Sequence, residues 1–212
     1  MQKKLLKCAD WVLDKAVLLI CILVALMCLY AGYDTYMVYY HASDDTLLQY
    51  KPKANDDFAA TKQVLSDCVG WLSFEDTPID YPIMQGEDND KYLNMDPYGE
   101  YSLSGSIFLD SRNASDWSDP YNLTYGHHMD HEAMYGSLDN YLDTDYYAAH
   151  RKGTLVTANG TYDVTIFAVI ETDASVKEIY QPKGGYDVVS YLAENADIYD
   201  QPVSDHIIGM ST

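Results

Sequence analysis

An apolar run from Ala16 to about Gly32 opens the chain, flanked by Trp11-Val-Leu-Asp-Lys15 and by tyrosines between Tyr30 and Tyr40. That length is at the lower end of what a helix needs to cross about 30 Å of hydrocarbon, and the flanking aromatics suit the two membrane interfaces. Lys3, Lys4, Lys7 and Lys15 precede the run and acidic residues follow it, so the N-terminus is expected in the cytoplasm. A cleaved leader fits less well. Leu29-Tyr30-Ala31 has no small residue at the −3 position, and Met27 before Cys28 spoils a lipoprotein box. The pattern therefore predicts a cytoplasmic N-terminus over residues 1–15 and a single-pass anchor over 16–33. A helical extension and linker over 34–70 and a β domain over 71–212 follow.

Past the anchor, Phe58, Val64, Leu65, Cys68 and Trp71 recur roughly at helical spacing and predict an amphipathic helix over Asp56–Trp71. From Val69 the period changes. Gly70–Phe74, Ile79–Met84, Gly105–Leu109, Asn122–Tyr125, Gly153–Thr157 and Thr161–Glu171 are short strand-like runs broken by Gly, Pro, Asn and Asp. The Asn159-Gly160 pair between two of them predicts a type I′ hairpin. A helical insert is expected over Ala133–His150, with Asp130 as N-cap and Met134, Leu138 and Leu142 at helical spacing. A further helix over Asp187–Asn195 would be capped by Asp187 and turn Val188, Tyr191 and Leu192 inward. A last strand spans Asp205–Thr212. Many short strands crossed by a few helices predict a mostly β fold, a closed and mainly antiparallel barrel.

Charge narrows the partners. Thirteen Lys and Arg against 33 Asp and Glu give a net charge of −20, which argues against nucleic-acid binding through phosphates. Twenty-one tyrosines beside four phenylalanines favour amphipathic aromatic surfaces, as in a half-exposed groove. Of the four cysteines, Cys8, Cys21 and Cys28 lie in or before the apolar segment. Cys68 is thus alone in the folded part, and no disulfide framework is expected. Cys68 reads as buried packing rather than as a nucleophile.

The densest candidate chemistry is Asn122-Leu-Thr-Tyr-Gly-His-His-Met-Asp-His-Glu-Ala-Met-Tyr-Gly-Ser137. Here a strand ends at Tyr125, Gly126 lets the backbone turn, and His127 is displayed just beyond. An imidazole held so at the mouth of a site suits proton transfer near neutral pH. His127, His128, His131 and Glu132 also raise a metal reading, but the HExxH order is absent and no distant third ligand stands out, so no metal or other cofactor is expected.

Several blocks in order resemble class B sortases, the membrane-anchored cysteine transpeptidases of Gram-positive bacteria. They are Asp80-Tyr-Pro-Ile-Met-Gln-Gly86, Asn89-Asp-Lys-Tyr-Leu-Asn94, Gly105-Ser-Ile-Phe-Leu-Asp110 with Arg112-Asn113, Tyr125-Gly126-His127-His128-Met129, and Met134-Tyr-Gly-Ser-Leu138. The resemblance implies an eight-stranded barrel behind an N-terminal helix, with the catalytic domain outside the cell membrane. It implies cleavage of a sorting signal on exported proteins and acyl transfer to the amine of a peptidoglycan precursor or a pilin lysine. His127 matches the family's catalytic histidine. Asn89 and Leu93 match positions lining the peptide groove, Tyr125 flanks the histidine, and Ser211 lies two residues before the family's nucleophile. In the family, the cysteine follows a strand ending Leu/Met-Ser-Thr-Cys, with an arginine on the next strand. Here Ile207-Ile-Gly-Met-Ser-Thr212 is the strand, so the chain is expected to be truncated immediately before the cysteine, as a fragment, a nonsense allele or a recoded UGA codon. As written it would be inactive in transpeptidation. Arg112 and Arg151 are read as surface or loop contacts that do not replace the family's arginine. The alternative is a membrane-tethered, non-catalytic domain that binds peptide in a tyrosine-lined groove.

Overall fold

The computed structural model describes residues 2–42, 45–53 and 57–212. Its elements are helix α1 (Gln2–Ala42), a 3-10 helix (Asp45–Tyr50), α2 (Phe58–Val64), strands β1 (Cys68–Phe74), β2 (Asp80–Met84), β3 (Phe108–Leu109) and β4 (Tyr121–Tyr125). Then follow a 3-10 helix (Gly136–Leu142), α3 (Thr144–His150), β5 (Lys152–Thr157), β6 (Gly160–Thr165), β7 (Ala168–Val169), α4 (Lys177–Tyr180), α5 (Val188–Asn195), β8 (Ile198–Tyr199) and β9 (Ile207–Ser211). The chain divides after Tyr40 into two compact units. Helix α1 runs through the first unit and on to Ala42 as one continuous helix of 41 residues, about 60 Å at 1.5 Å per residue. Its segment Asp10–Tyr39 is long and apolar enough to cross a membrane.

Seven strands of the second unit form a sheet in the order β6-β5-β1-β2-β3-β4-β9, and β7 and β8 pair apart. β1 lies near its middle, antiparallel to both β2 and β5, with Leu72 opposite Tyr81 on one side and Leu155 on the other. Successive residues feed different cores. Leu72, Ile83, Leu109 and Leu155 join Phe74, Ile79, Ile107, Tyr135 and Tyr141 on one face. Trp71, Met84, Phe108 and Val156 pack with Phe58, Leu65, Cys68 and Tyr92 on the other. A strand covered on both faces carries little alternation.

That is why the helix expected over Asp56–Trp71 is corrected. Asp56 itself lies outside the described residues, α2 ends at Val64, and Cys68 and Trp71 belong to β1. Cys68 is fully buried, and burial pushes its thiol up to about 12. The expected hairpin is present, but its register pairs Thr157 with Gly160, so the turn residues are Ala158 and Asn159. Neither has a positive φ, which rules out type I′. Asn159 N–H instead donates to Thr157 Oγ1 at 3.1 Å.

The insert also differs from its expected form. Asp130 caps no helix. His131, Glu132 and Met134 all adopt left-handed backbone conformations in a tight loop, and helical structure starts at Gly136. The cap is Asp143, whose carboxylate accepts from the N–H groups of Asp145 and Tyr146 at the start of α3. Asp187 caps α5 as expected, with Val188 and Leu192 buried.

The sheet is a curled half barrel. Two of its pairings are parallel, β2 with β3 and β4 with β9, and β6 and β9 stand at opposite edges with no pairing between them among the described residues. A cavity of about 960 Å³ is lined by both edge strands, through Tyr162 and Val164 of β6 and Ile208 and Met210 of β9, and by Leu72, Leu123 and Leu155.

Candidate active site

The parallel register of β4 and β9 fixes the centre of the candidate site. It runs from Tyr121 opposite Ile207 to Tyr125 opposite Ser211, and Gly126 N–H extends it by donating to the Ser211 carbonyl at 3.0 Å. Thr124 reinforces the pairing. Its Oγ1 donates to the Gly209 carbonyl at 2.8 Å and lies 2.9 Å from the buried Tyr135 hydroxyl. The C-terminal ends of both strands, with Gly126-His127 on one and Ser211-Thr212 on the other, therefore emerge side by side.

His127 is half-buried, and its carbonyl accepts from Tyr135 N–H at 3.1 Å. The loop beyond closes at once. His128 bridges Met134, whose N–H donates to the Tyr81 hydroxyl at 3.0 Å. Three left-handed non-glycine residues within four positions mark strain held by the surrounding packing, directly after the histidine. His128 Nε2 pairs with Asp139 at 2.8 Å, and Glu132 accepts from Asn140. Among the described residues no three His, Cys, Asp or Glu side chains are placed to hold a metal.

Of the groove residues read from the sequence, Tyr125 is half-buried against Phe108, and its hydroxyl donates to Asp110 Oδ2 at 2.9 Å. Burial and the Asp110 charge push that phenol above its ordinary range. Asn89 belongs to the same cluster: its Nδ2 donates to Asp110 Oδ2 at 3.1 Å and its Oδ1 accepts from Ser111 N–H at 2.7 Å. Leu93 is 37% exposed at the end of a short 3-10 helix, a surface position rather than core. Ser211 Oγ donates to the Tyr180 hydroxyl at 3.3 Å, which brings α4 to the end of β9.

Sequence reasoning missed Asp110, while Arg112 is the loop contact it was read as, 44% exposed and bonded two positions away. The Asp110 carboxylate is completely buried, and Arg112 grips both of its oxygens, through Nε at 2.8 Å and Nη2 at 2.5 Å. Burial raises the carboxyl, but the guanidinium, the Arg112 N–H, Tyr125 and Asn89 outweigh it and hold Asp110 below the usual carboxylate range. Arg112 also donates to the Tyr180 carbonyl at 2.9 Å. Arg151 lies elsewhere, paired with Asp200 and stacked on Tyr147. The Asp110-x-Arg112 spacing was the available signal, and it is weak, since most such pairs lie on surfaces.

No protein-family model matches the chain. It is 40% identical over 120 residues to sortase B of Listeria monocytogenes, covering 57% of this chain and 49% of that protein. It is 29% identical over 163 residues to sortase B of Staphylococcus aureus, covering 73% of this chain and 66% of that one. The chain thus spans about half of one of these curated relatives and just under two thirds of the other. Among solved structures it is similar to a Streptococcus pyogenes class B sortase involved in pilus biogenesis, with 32% identity, a TM-score of 0.64, and coverage of 72% of this chain and 88% of the other.

Proposed function

Because this chain belongs to the class B sortase family, we propose that its β domain is the body of a cysteine transpeptidase that cleaves a sorting signal on an exported protein and passes the acyl group to a cell-wall or pilin amine. The observation that carries this function is the β4–β9 register. The family pattern places the nucleophile directly after Met210-Ser-Thr212, and Ser211 is level with Tyr125 and bonded to Gly126. Continued by two residues, that register would bring the position after Thr212 level with His127.

In the reaction, a cysteine thiolate at that position attacks the scissile carbonyl, and an oxyanion forms as the C–S bond is made. Collapse breaks the C–N bond, and the His127 imidazolium gives its proton to the leaving amine. The incoming amine then attacks the thioester, His127 takes up its proton, and the thiolate leaves. No electron transfer occurs, so the cycle calls for no cofactor. Asn89, Leu93, Tyr125 and Ser211 are the residues assigned to the sorting-peptide groove. α1 is assigned as the single membrane span, with the N-terminus cytoplasmic and the β domain outside.

The test uses the product of the gene's full reading frame, with its C-terminus read by mass spectrometry, in detergent with fluorescent peptides and an amine acceptor. A cysteine after Thr212 that forms a thioester, and a turnover loss of about 10³-fold in His127→Ala, are the expected results. Peptide binding with no transfer by a product that carries that cysteine would leave the tethered, non-catalytic domain instead.

A further inference from the structure

Asp110 carries a fully buried charge that the chemistry above does not use. Removing a carboxylate from water is costly, and such a group persists where its partners are many and well aimed. Here its two oxygens have different work. Oδ1 accepts from Arg112 N–H and Arg112 Nε, both at 2.8 Å, and so shapes the local turn. Oδ2 takes the second Arg112 side-chain bond, from Nη2 at 2.5 Å, and also faces two other parts of the chain, accepting from Tyr125 OH at 2.9 Å and Asn89 Nδ2 at 3.1 Å. Asn89 returns to the turn by accepting from Ser111 N–H. Arg112 Nη2 continues to the Tyr180 carbonyl, and the Tyr180 hydroxyl meets Ser211. An apolar side chain at this position would fill the space but could not fix these directions.

We propose that Asp110 is a positioning residue, whose carboxylate, gripped by Arg112, sets the placement of the Asn89 loop, the Tyr125–His127 strand end and α4 relative to one another. Its role in substrate binding rests on the proposed assignment of Asn89, Tyr125 and Ser211 to the peptide groove, with α4 joined to Ser211 through Tyr180. The carboxylate touches no reacting atom. It acts through Tyr125, Asn89 and Arg112.

The experiment compares the full chain in detergent micelles with Asp110→Asn and Arg112→Gln, and with Ile79→Val as a core variant that lowers stability without touching the network. Amide hydrogen exchange is the first readout. Asp110→Asn is expected to speed exchange at least tenfold at Ser111, over 122–127 and over 178–181, while β1 and β5 keep wild-type rates. Arg112→Gln is expected to do so most strongly at 178–181. Uniform acceleration that includes β1 and β5, or unchanged exchange at the three segments, would overturn the proposal. The second readout is anisotropy with a positional-scanning library of fluorescent pentapeptides. The best wild-type binder should lose at least tenfold in affinity in Asp110→Asn and none in Ile79→Val. Equal losses in both variants would reduce Asp110 to a stability role. If the wild type binds no peptide, the groove reading fails, and the exchange pattern still decides whether Asp110 positions the three segments.

Discussion

Gly126 shows how a single residue in the histidine motif is constrained. Its φ is not positive, so the turn does not require a left-handed glycine. What it requires is room: a Cβ there would lie 2.3 Å from Ile107 Cδ1 and 2.9 Å from the Tyr135 ring. Gly126→Ala should therefore overpack the core beneath β4 and cost about 1–3 kcal/mol, readable as a lower denaturant midpoint in detergent. An unchanged midpoint would mean that Ile107 and Tyr135 yield freely. Cys68 gives a second residue-scale expectation. With its thiol at about 12 against an ordinary value near 9, it stays protonated in the fold across the neutral and mildly alkaline range. Its contribution to stability is complete below pH 9 and is lost as pH rises from 9 towards 12, because the unfolded chain ionises first. At pH 9, iodoacetamide should leave Cys68 unmodified in the native protein and label it in guanidinium. Rapid native labelling would show an open core.

At the scale of elements, the segment around α4 is tied down by charge as well as by packing. Ile179 packs with Val188, Leu192 and Ile207, Arg112 holds the Tyr180 carbonyl, and Lys183 pairs with Asp119. Burial pushes the Asp119 carboxyl up, but the Lys183 ammonium and the N–H groups of Ala114 and Asn113 outweigh this and hold it at about 2. A depressed carboxyl stabilises the fold above the unfolded value near 4, and that contribution fades as pH falls towards 2. Asp119→Asn should accordingly flatten the acid limb of a melting profile between pH 4 and 2 and speed exchange over 177–184. A mutant whose acid limb matches the wild type would refute the tie. The same segment shows what sequence patterns miss. α4 is four residues long, and its place beside β9 comes from partners about 30 and 70 positions away.

For the whole molecule, the division after Tyr40 separates a long apolar helix from an acidic β unit. If α1 spans the bilayer, the full chain should stay in the membrane pellet through a carbonate wash and leave it only with detergent. A chain starting at His41 should appear in the soluble fraction. Release of the full chain by carbonate would reduce α1 to a peripheral contact. Among the described residues β6 and β9 are the outermost strands of the sheet, both line the cavity, and the sheet carries a core on each face.

Local chemistry determined much of this protein. The apolar run, the short β-rich segments, the Asp187 cap and the histidine after Tyr125-Gly126 are set by residues near one another in the chain, where periodicity and capping act. Tertiary structure alone decided the rest. Burial on both faces turned the apparent helix through Cys68 and Trp71 into the start of β1. The parallel pairing across more than 80 residues brought Ser211 to Tyr125. The buried Asp110 acquired partners at Asn89, Tyr125 and Arg112. A carboxylate in a short loop looks like any surface acid until the fold closes over it, since its energy depends on the donors that reach it after water has been removed.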